Sequence, residues 1–181
     1  MAGEVRITGM EEAIATLRGL PDKLRGRALR NALGRFTTGV TIVTCVDAQG
    51  HAVGLTANSF NSLSLDPPLI LWSLRRGSHS LPAFLATPNF AVNVLGEAQV
   101  DLSRRFASTV DDKFAEGQWA AGTGGVPLLA GCAAVFECER VSHQEVGDHV
   151  LFIGRVCAMS EATVPPLLFQ AGHYRMLGEI L

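Results

Sequence analysis

Residues 54–74 read GLTANSFNSLSLDPPLILWSL, and Thr56, Asn58, Ser59, Ser62 and Ser64 crowd together just ahead of an apolar segment. Glycine lets a backbone come close to a ligand, and a run of small polar residues leaves main-chain N–H and C=O groups uncovered. Such a surface suits a planar heterocycle rich in donors and acceptors, of which flavin is one. A Ser/Thr-rich strand end passing into an ordinary turn has the same letters, and the pattern alone favours that plainer account.

A second candidate is SLRRGSHSLP at 73–82, with Arg75 and Arg76 followed by Ser78, His79 and Ser80 at a helix start. Unpaired helix N–H groups, hydroxyls and guanidinium together make a phosphate cradle, although a capped helix beside a solvated arginine pair looks the same. Arg104 and Arg105 in DLSRRFA add charge to such a site or simply lie on the surface. His149 follows a Gly-Asp pair at a strand entrance, where a lone histidine is ordinarily a hydrogen-bonded edge residue. Tyr174, the single tyrosine, reads as an aromatic cap on the core. No Ser/His/Asp motif, His-Glu-x-x-His or Walker loop is present, and GTGG at 122–125 lacks the strand and helix of a dinucleotide fingerprint. Cys45, Cys132, Cys138 and Cys157 sit in apolar segments without Cys-x-x-Cys spacing, so all four are expected to be small buried hydrophobes and no metal is expected.

These groups need a frame, and 181 residues with 48% hydrophobic and 18% charged residues suffice for one principal domain with a real core. A net charge of −2 without a Lys/Arg block excludes the footprint of a general nucleic-acid binder. No apolar run reaches the ~18 residues of a membrane span, and charges stand where a signal peptide would be apolar, so a cytoplasmic location is expected. Residues 10–33 show helical spacing broken at Pro21, predicting two short amphipathic helices with a basic polar side. GVTIVTCV and HAVGLTA around DAQG predict a hairpin, and LILWSL and NFAVNVL predict buried strands. Between those two strands SHSLPAFLA predicts a short helix with Ser80 as N-cap and Pro82 in its first turn, and EAQVDLSRRFA predicts another. Residues 118–127 are too rich in glycine for a regular element, which predicts a loop. Two long strands, CAAVFECERVSH and HVLFIGRVCAMS, follow around QEVGD. Short connections point to an antiparallel sheet closed into a barrel, with helices at its rim.

Taken in order, LGRFTTGVTIVT, GLTANSFNSLSLDPPLILWSL, FAVNVL, DLSRRFA, DKF, GDHVLFIGRV and PLLFQAGHY resemble the flavin reductase-like family over about residues 33–177. That resemblance implies a mainly β, antiparallel split β-barrel with flanking helices over 33–181, preceded by an N-terminal helical extension at 1–32. It further implies a homodimer binding FMN or FAD, with NADH or NADPH as co-substrate. Carried over residue by residue, Gly54, Leu55, Thr56, Ala57, Asn58 and Ser59 would face the isoalloxazine and ribityl chain. Ser73, Leu74, Arg75, His79 and Ser80 would take the phosphate end, helped by Arg104 and Arg105. His149, the catalytic candidate, would lie beside the nicotinamide. Leu168, Phe169, Gln170 and Ala171, with Tyr174 nearby, would line the pyridine-nucleotide side. Gln170 stands where relatives often carry an aromatic residue, and the leader is longer and more basic than the family's usual one. The implied activity is hydride transfer to flavin, supplying reduced flavin to a partner monooxygenase, and it needs no side-chain nucleophile. The alternatives are a non-catalytic flavin-binding carrier or sensor, and a structural barrel module whose basic helices dock a partner.

Overall fold

The structure, a computed structural model, describes residues 21–179. These fall into two units, one of residues 21–37 with 170–172 and the other of residues 38–169 with 173–179. In the first unit, helix α1 (Asp22–Leu33) starts after Pro21 and stops at Gly34, whose N–H donates to the Arg30 carbonyl. Lys23, Arg25, Arg27 and Arg30 are exposed on it, as expected of a solvated face, but so are Leu24 and Leu29. The earlier of the two expected helices lies outside the described residues. Among the described residues no helix is long and apolar enough to cross a membrane.

The second unit is mainly β and antiparallel. Its strands are β1 (Thr38–Gly39), β2 (Thr41–Val46), β3 (Ala52–Ala57), β4 (Asn61–Leu65), β5 (Pro68–Arg75), β6 (Asn89–Val94), β7 (Trp119–Ala121), β8 (Pro127–Leu129), β9 (Ala134–Val146), β10 (His149–Glu161), β11 (Leu168–Gln170) and β12 (His173–Arg175). Helices α2 (Leu81–Ala86) and α3 (Val100–Ala107) flank β6 in the chain. Seven strands form one sheet in the order β3-β2-β6-β9-β10-β5-β4, and β1-β11-β12 and β7-β8 make two small ones.

β2, rich in β-branched residues, lies between edge strand β3 and β6 and is buried on both faces. Val43 and Cys45 enter one core with Trp72, Phe84, Phe90, Val92 and Phe152, while Ile42 enters a second with Val40, Leu95, Phe106 and Leu129. Trp72 stacks on Phe152 at 4.7 Å between centroids and meets Phe84 edge-on at 4.9 Å. The buried hydroxyls of β2 are satisfied, since Thr41 donates to the Ala57 carbonyl and Thr44 to the Pro127 carbonyl. Asn93 completes this network by donating to the Ile42 carbonyl and accepting from the Leu129 N–H.

Several expectations need correction. Residues 118–127 are not a loop throughout: β7 pairs with β8, and the glycines form only the turn between them, with positive φ at Gly124 and Gly125. Thr44 and Asn93, from strands distant in sequence, hold β8 in place, which local glycine content does not reveal. The Ser/Thr-rich stretch after β3 is strand β4, paired with β5, and not a simple turn. Cys45, Cys132 and Cys138 are buried, but Cys157 is exposed on the part of β10 beyond the β5 pairing. Ser80 stands at the N-cap of α2 but makes no side-chain capping bond. Between β9 and β10 the connection is only Gly147 and Asp148, shorter than the five residues QEVGD, and φ of +60° at Gly147 explains the glycine.

Candidate active site

Strand β3 has a sheet neighbour on one side only, so alternate N–H and C=O groups on its outer edge lack a ladder partner. From Ala52 through Ser59 the chain lines a cleft of about 1410 Å³ without a break. Three further segments close it: the end of β5 and start of α2, residues 47–49 between β2 and β3, and residues 106–114 from the last residues of α3 onward. His149 completes the lining. This volume exceeds the ~300–1,000 Å³ usual for one small-molecule site.

At the β3 end, Asn58 is exposed and Ser59 half-buried. The Ser59 hydroxyl donates to the Ser73 carbonyl at 2.9 Å and accepts from the Ser73 N–H at 3.0 Å, tying the chain after β3 to β5. Four strands separate β3 from β5 in the sheet, so this bond crosses between its two ends. Thr56 donates to the Ser103 carbonyl of α3 at 2.6 Å. Both hydroxyls therefore brace the walls of the cleft with their protons.

Gly54 is buried, and its lack of a side chain has a packing cause. A Cβ there would stand 2.7 Å from Phe106 Cε1 and 3.1 Å from Phe114 Cζ. Glycine at 54 thus admits two rings against the strand, whereas the sequence pattern had suggested close approach of a ligand.

Ser73, Leu74, Arg75, His79 and Ser80 all line the cleft. The adjacent arginines part company: Arg75 lines it, while Arg76 forms an ion pair with Glu145 at 3.6 Å. Ser78 Oγ accepts the Ser80 N–H, so one N–H at this helix start is already engaged. Arg75 stands opposite His149 in the β5–β10 ladder. His149 Nδ1 lies 2.8 Å from Asp148 Oδ1, and this hydrogen bond holds the Asp148 carboxyl below its ordinary range. An ionised carboxylate only accepts, so in the neutral ring Nδ1 carries the proton and Nε2 is left as the acceptor. At the opposite turn the His51 N–H donates to Asp47 and keeps that carboxyl ionised below its usual range as well.

The remaining expected residues lie elsewhere. Arg104 pairs with Asp101 at 3.0 Å and sits 5.5 Å from the centre of the Tyr174 ring. Arg105 donates to the carbonyls of Asp112 and Lys113 and to the Glu116 carboxylate. Tyr174 bonds the Ser103 hydroxyl at 2.9 Å and meets Phe169 edge-on. Leu168 and Phe169 pair with Gly39 and Thr38. None of these five lines the cleft. Gln170 and Ala171 belong to the first unit, where the Ala171 N–H donates to the Gly34 carbonyl.

Two linings were missed from the sequence. One is the β2–β3 turn, and the other is residues 106–114, which the matching segments DLSRRFA and DKF overlap only at its two ends. The partly buried Lys113 ammonium donates to the Phe106 carbonyl, and burial pushes its pKa down.

Comparison with known proteins assigns a family to this cleft. Residues 33–178 match the flavin reductase like domain. A probable flavin reductase of Rhizobium meliloti is 47% identical over 148 residues, 82% of this chain and 48% of that protein. The chain thus spans about half the length of that relative. The FMN reductase (NADH) SmoA of Agrobacterium fabrum is 41% identical, with 86% and 88% covered. Among solved structures, nitrilotriacetate monooxygenase component B from Mycobacterium thermoresistibile superposes with a TM-score of 0.84 at 38% identity, covering 87% of this chain and 89% of that one. The NADH:FAD oxidoreductase SgcE6 of Streptomyces globisporus, in complex with NAD and FAD fragments, gives 0.82 at 37% identity, with 88% and 96% covered. With that match covering most of the chain, the chain belongs to the flavin reductase like domain family.

Proposed function

We propose that this protein is an NAD(P)H-dependent flavin reductase that takes FMN or FAD and supplies reduced flavin to a partner monooxygenase. One observation carries the reading: segments 54–59 and 73–80 and His149, far apart in sequence, meet in a single cleft. The relatives support it by name, with an NADH-dependent FMN reductase and an NADH:FAD oxidoreductase among them. A trigonelline monooxygenase reductase component from Acinetobacter baylyi, 41% identical, supports the oxygenase partner.

The lining fits the group. Unpaired main-chain groups along β3 suit the edge of a heterocycle, and Arg75 with the Ser78 and Ser80 hydroxyls suits a phosphate. Bound flavin would accept hydride from the reduced nicotinamide, so the protein's own work is binding and orientation. Arg75, His79 and Ser80 would hold the anionic end. Asn58 and the main chain of residues 54–59 would orient the ring system. His149, fixed by Asp148, would present Nε2 as a hydrogen-bond acceptor to the second substrate. A cleft larger than one ligand needs leaves room for both planar rings to be held in contact, a source of several kcal/mol of rate enhancement.

The same reading takes residues 33–181 as the reductase domain and 1–32 as an extension. It also takes the fold as a split barrel, supported by the Ser59–Ser73 bond between opposite ends of the sheet. A homodimer in the cytoplasm completes it, in keeping with four free cysteines. The test is consumption of NADH and of NADPH with FMN, FAD or riboflavin added. Flavin-dependent turnover is expected with at least one pair. Flavin binding without turnover would make the protein a carrier, and a chain that neither binds nor reduces flavin would refute the proposal.

A further inference from the structure

One wall of the cleft is built from a stretch with almost no regular structure. Residues 107–114 line it consecutively, yet α3 ends at Ala107 and only a short turn at Lys113–Ala115 follows. A segment of this kind keeps its shape only if its ends are held.

Two layers hold them. The first is aromatic: Phe106, just before the segment, and Phe114, its last residue, meet edge to face at 5.0 Å, and both pack on Trp119. The second is polar. Arg105 donates from Nε to the Lys113 carbonyl at 3.1 Å, from Nη2 to the Asp112 carbonyl and from Nη1 to Glu116 Oε1 at 2.8 Å. In return Lys113 Nζ donates to the Phe106 carbonyl at 3.0 Å, so each end of the segment grips the other.

We infer that Arg105 is a positioning residue of the flavin site, whose guanidinium fork clasps residues 112–116 and so holds the cleft wall formed by residues 107–114. All three of its nitrogens are turned to this segment, its side chain is only 20% exposed, and it does not line the cleft. It therefore acts through the wall and not as a phosphate ligand. A lysine has the charge but not the planar five-donor fork that engages these spread acceptors together.

The inference rests on the flavin-reductase reading, and its test separates the two. Dissociation constants for FMN and for riboflavin, which lacks the phosphate, are measured by fluorescence titration on the full chain and on Arg105→Gln, Arg105→Lys and Glu116→Gln. Expected is a loss of roughly 10-fold for both flavins in Arg105→Gln, with their ratio unchanged and no rescue by lysine. Glu116→Gln is expected to weaken both in the same proportion but by less, and it stands in if Arg105→Gln fails to fold. A loss confined to FMN would make Arg105 a phosphate ligand and overturn the inference, as would unchanged affinity for both. Amide hydrogen exchange of residues 107–114 without flavin reads the clasp alone. Faster exchange in Arg105→Gln is expected, and unchanged exchange refutes the clasp whatever the chain binds. A parent chain without flavin affinity but with this exchange response would instead sink the reductase reading.

Discussion

Gly54→Ala places a single methyl group where the floor of the cleft meets the aromatic layer that anchors its wall. The ideal Cβ lies 2.7 Å from Phe106 Cε1, 3.0 Å from Cδ1 and 3.1 Å from Phe114 Cζ. Carbon pairs rest at about 3.5–4.0 Å, so the Phe106 ring must retreat by roughly 0.8 Å. It has little room to do so, being 1% exposed and packed at 5.0 Å on Phe114 and 5.4 Å on Trp119. Overpacking of this kind costs about 1–3 kcal/mol. Against it stands the ordinary gain of about 0.5–1 kcal/mol from replacing a strand glycine with alanine. The clash outweighs that gain at the centre of both ranges, leaving a net loss of about 1 kcal/mol, or a fall of about 2–4 °C in Tm for a chain of this size.

Urea unfolding at equilibrium gives the stability change, and a flavin titration on the same variant shows whether the displaced rings carry the wall with them. A second background isolates the cause. In Phe106→Leu the two nearest ring atoms are gone and only Phe114 Cζ at 3.1 Å remains, so adding Gly54→Ala there should cost less than in the parent, a coupling of at least about 0.5 kcal/mol between neighbours. Gly54→Ala as stable as the parent in the unaltered background, or equally harmful with and without the Phe106 ring, would refute the packing account and return the glycine to a ligand-facing role.

Three further expectations follow from the site and the core. His149→Ala should lower NADH-dependent turnover by ~10- to 100-fold while flavin affinity holds, and an equal loss of both would mark the histidine as structural. Ser80→Asp should weaken FMN about 10-fold, with riboflavin unaffected, because it sets a carboxylate beside Arg75 and His79 where a phosphate would lie; equal effects on both flavins would move the phosphate site elsewhere. Burial pushes the thiols of Cys45, Cys132 and Cys138 up to about 12, from an ordinary value of 9.0, so a thiol reagent should modify Cys157 alone in the native protein and all four in denaturant. Their raised folded pKa gives stability that is complete below about pH 9 and is lost between 9 and 12 as the unfolded thiols ionise. Replacing Cys138 with alanine should flatten that alkaline decline, as measured by the urea midpoint against pH.

What the sequence made legible was whatever local pattern dictates. The β2–β3 hairpin could be read because β-branched runs flank an Asp/Gly turn, and Asp47 does bind that turn through the N–H groups of Gln49 and His51. His149 could be placed because Gly-Asp before a long alternating run demands a tight hairpin, and β10 begins on that residue. Strand β4 escaped notice because NSLSL has only two apolar residues and lies at the sheet edge, with Leu65 93% exposed and no core side to mark it. β7 and β8 are three residues each and owe their pairing site to Asn93 and Thr44, which lie 36 and 83 positions from the groups they bind.

Within the site, residue type predicted membership better than direction. Thr56, Ser59, Arg105 and Tyr174 are donors of the kinds a flavin nucleotide would engage, and each lies in or next to the cleft's framework. Yet Thr56 spends its proton on the Ser103 carbonyl, Ser59 on Ser73, and Arg105 on the wall segment, and Tyr174 bonds Ser103. A groove lined by an edge strand and an irregular segment has many main-chain groups that no ladder satisfies, so hydroxyls and guanidinium are needed to join its walls before any can be offered to a ligand. The same chemical demand thus recruits the same residue types for bracing and for binding. Contact geometry separates the two uses: Thr56 and Ser59, although they line the cleft, and Arg105, which does not, hold bonds that join its walls, whereas Arg75, His79, Ser80, Asn58 and His149 line it as candidates for binding.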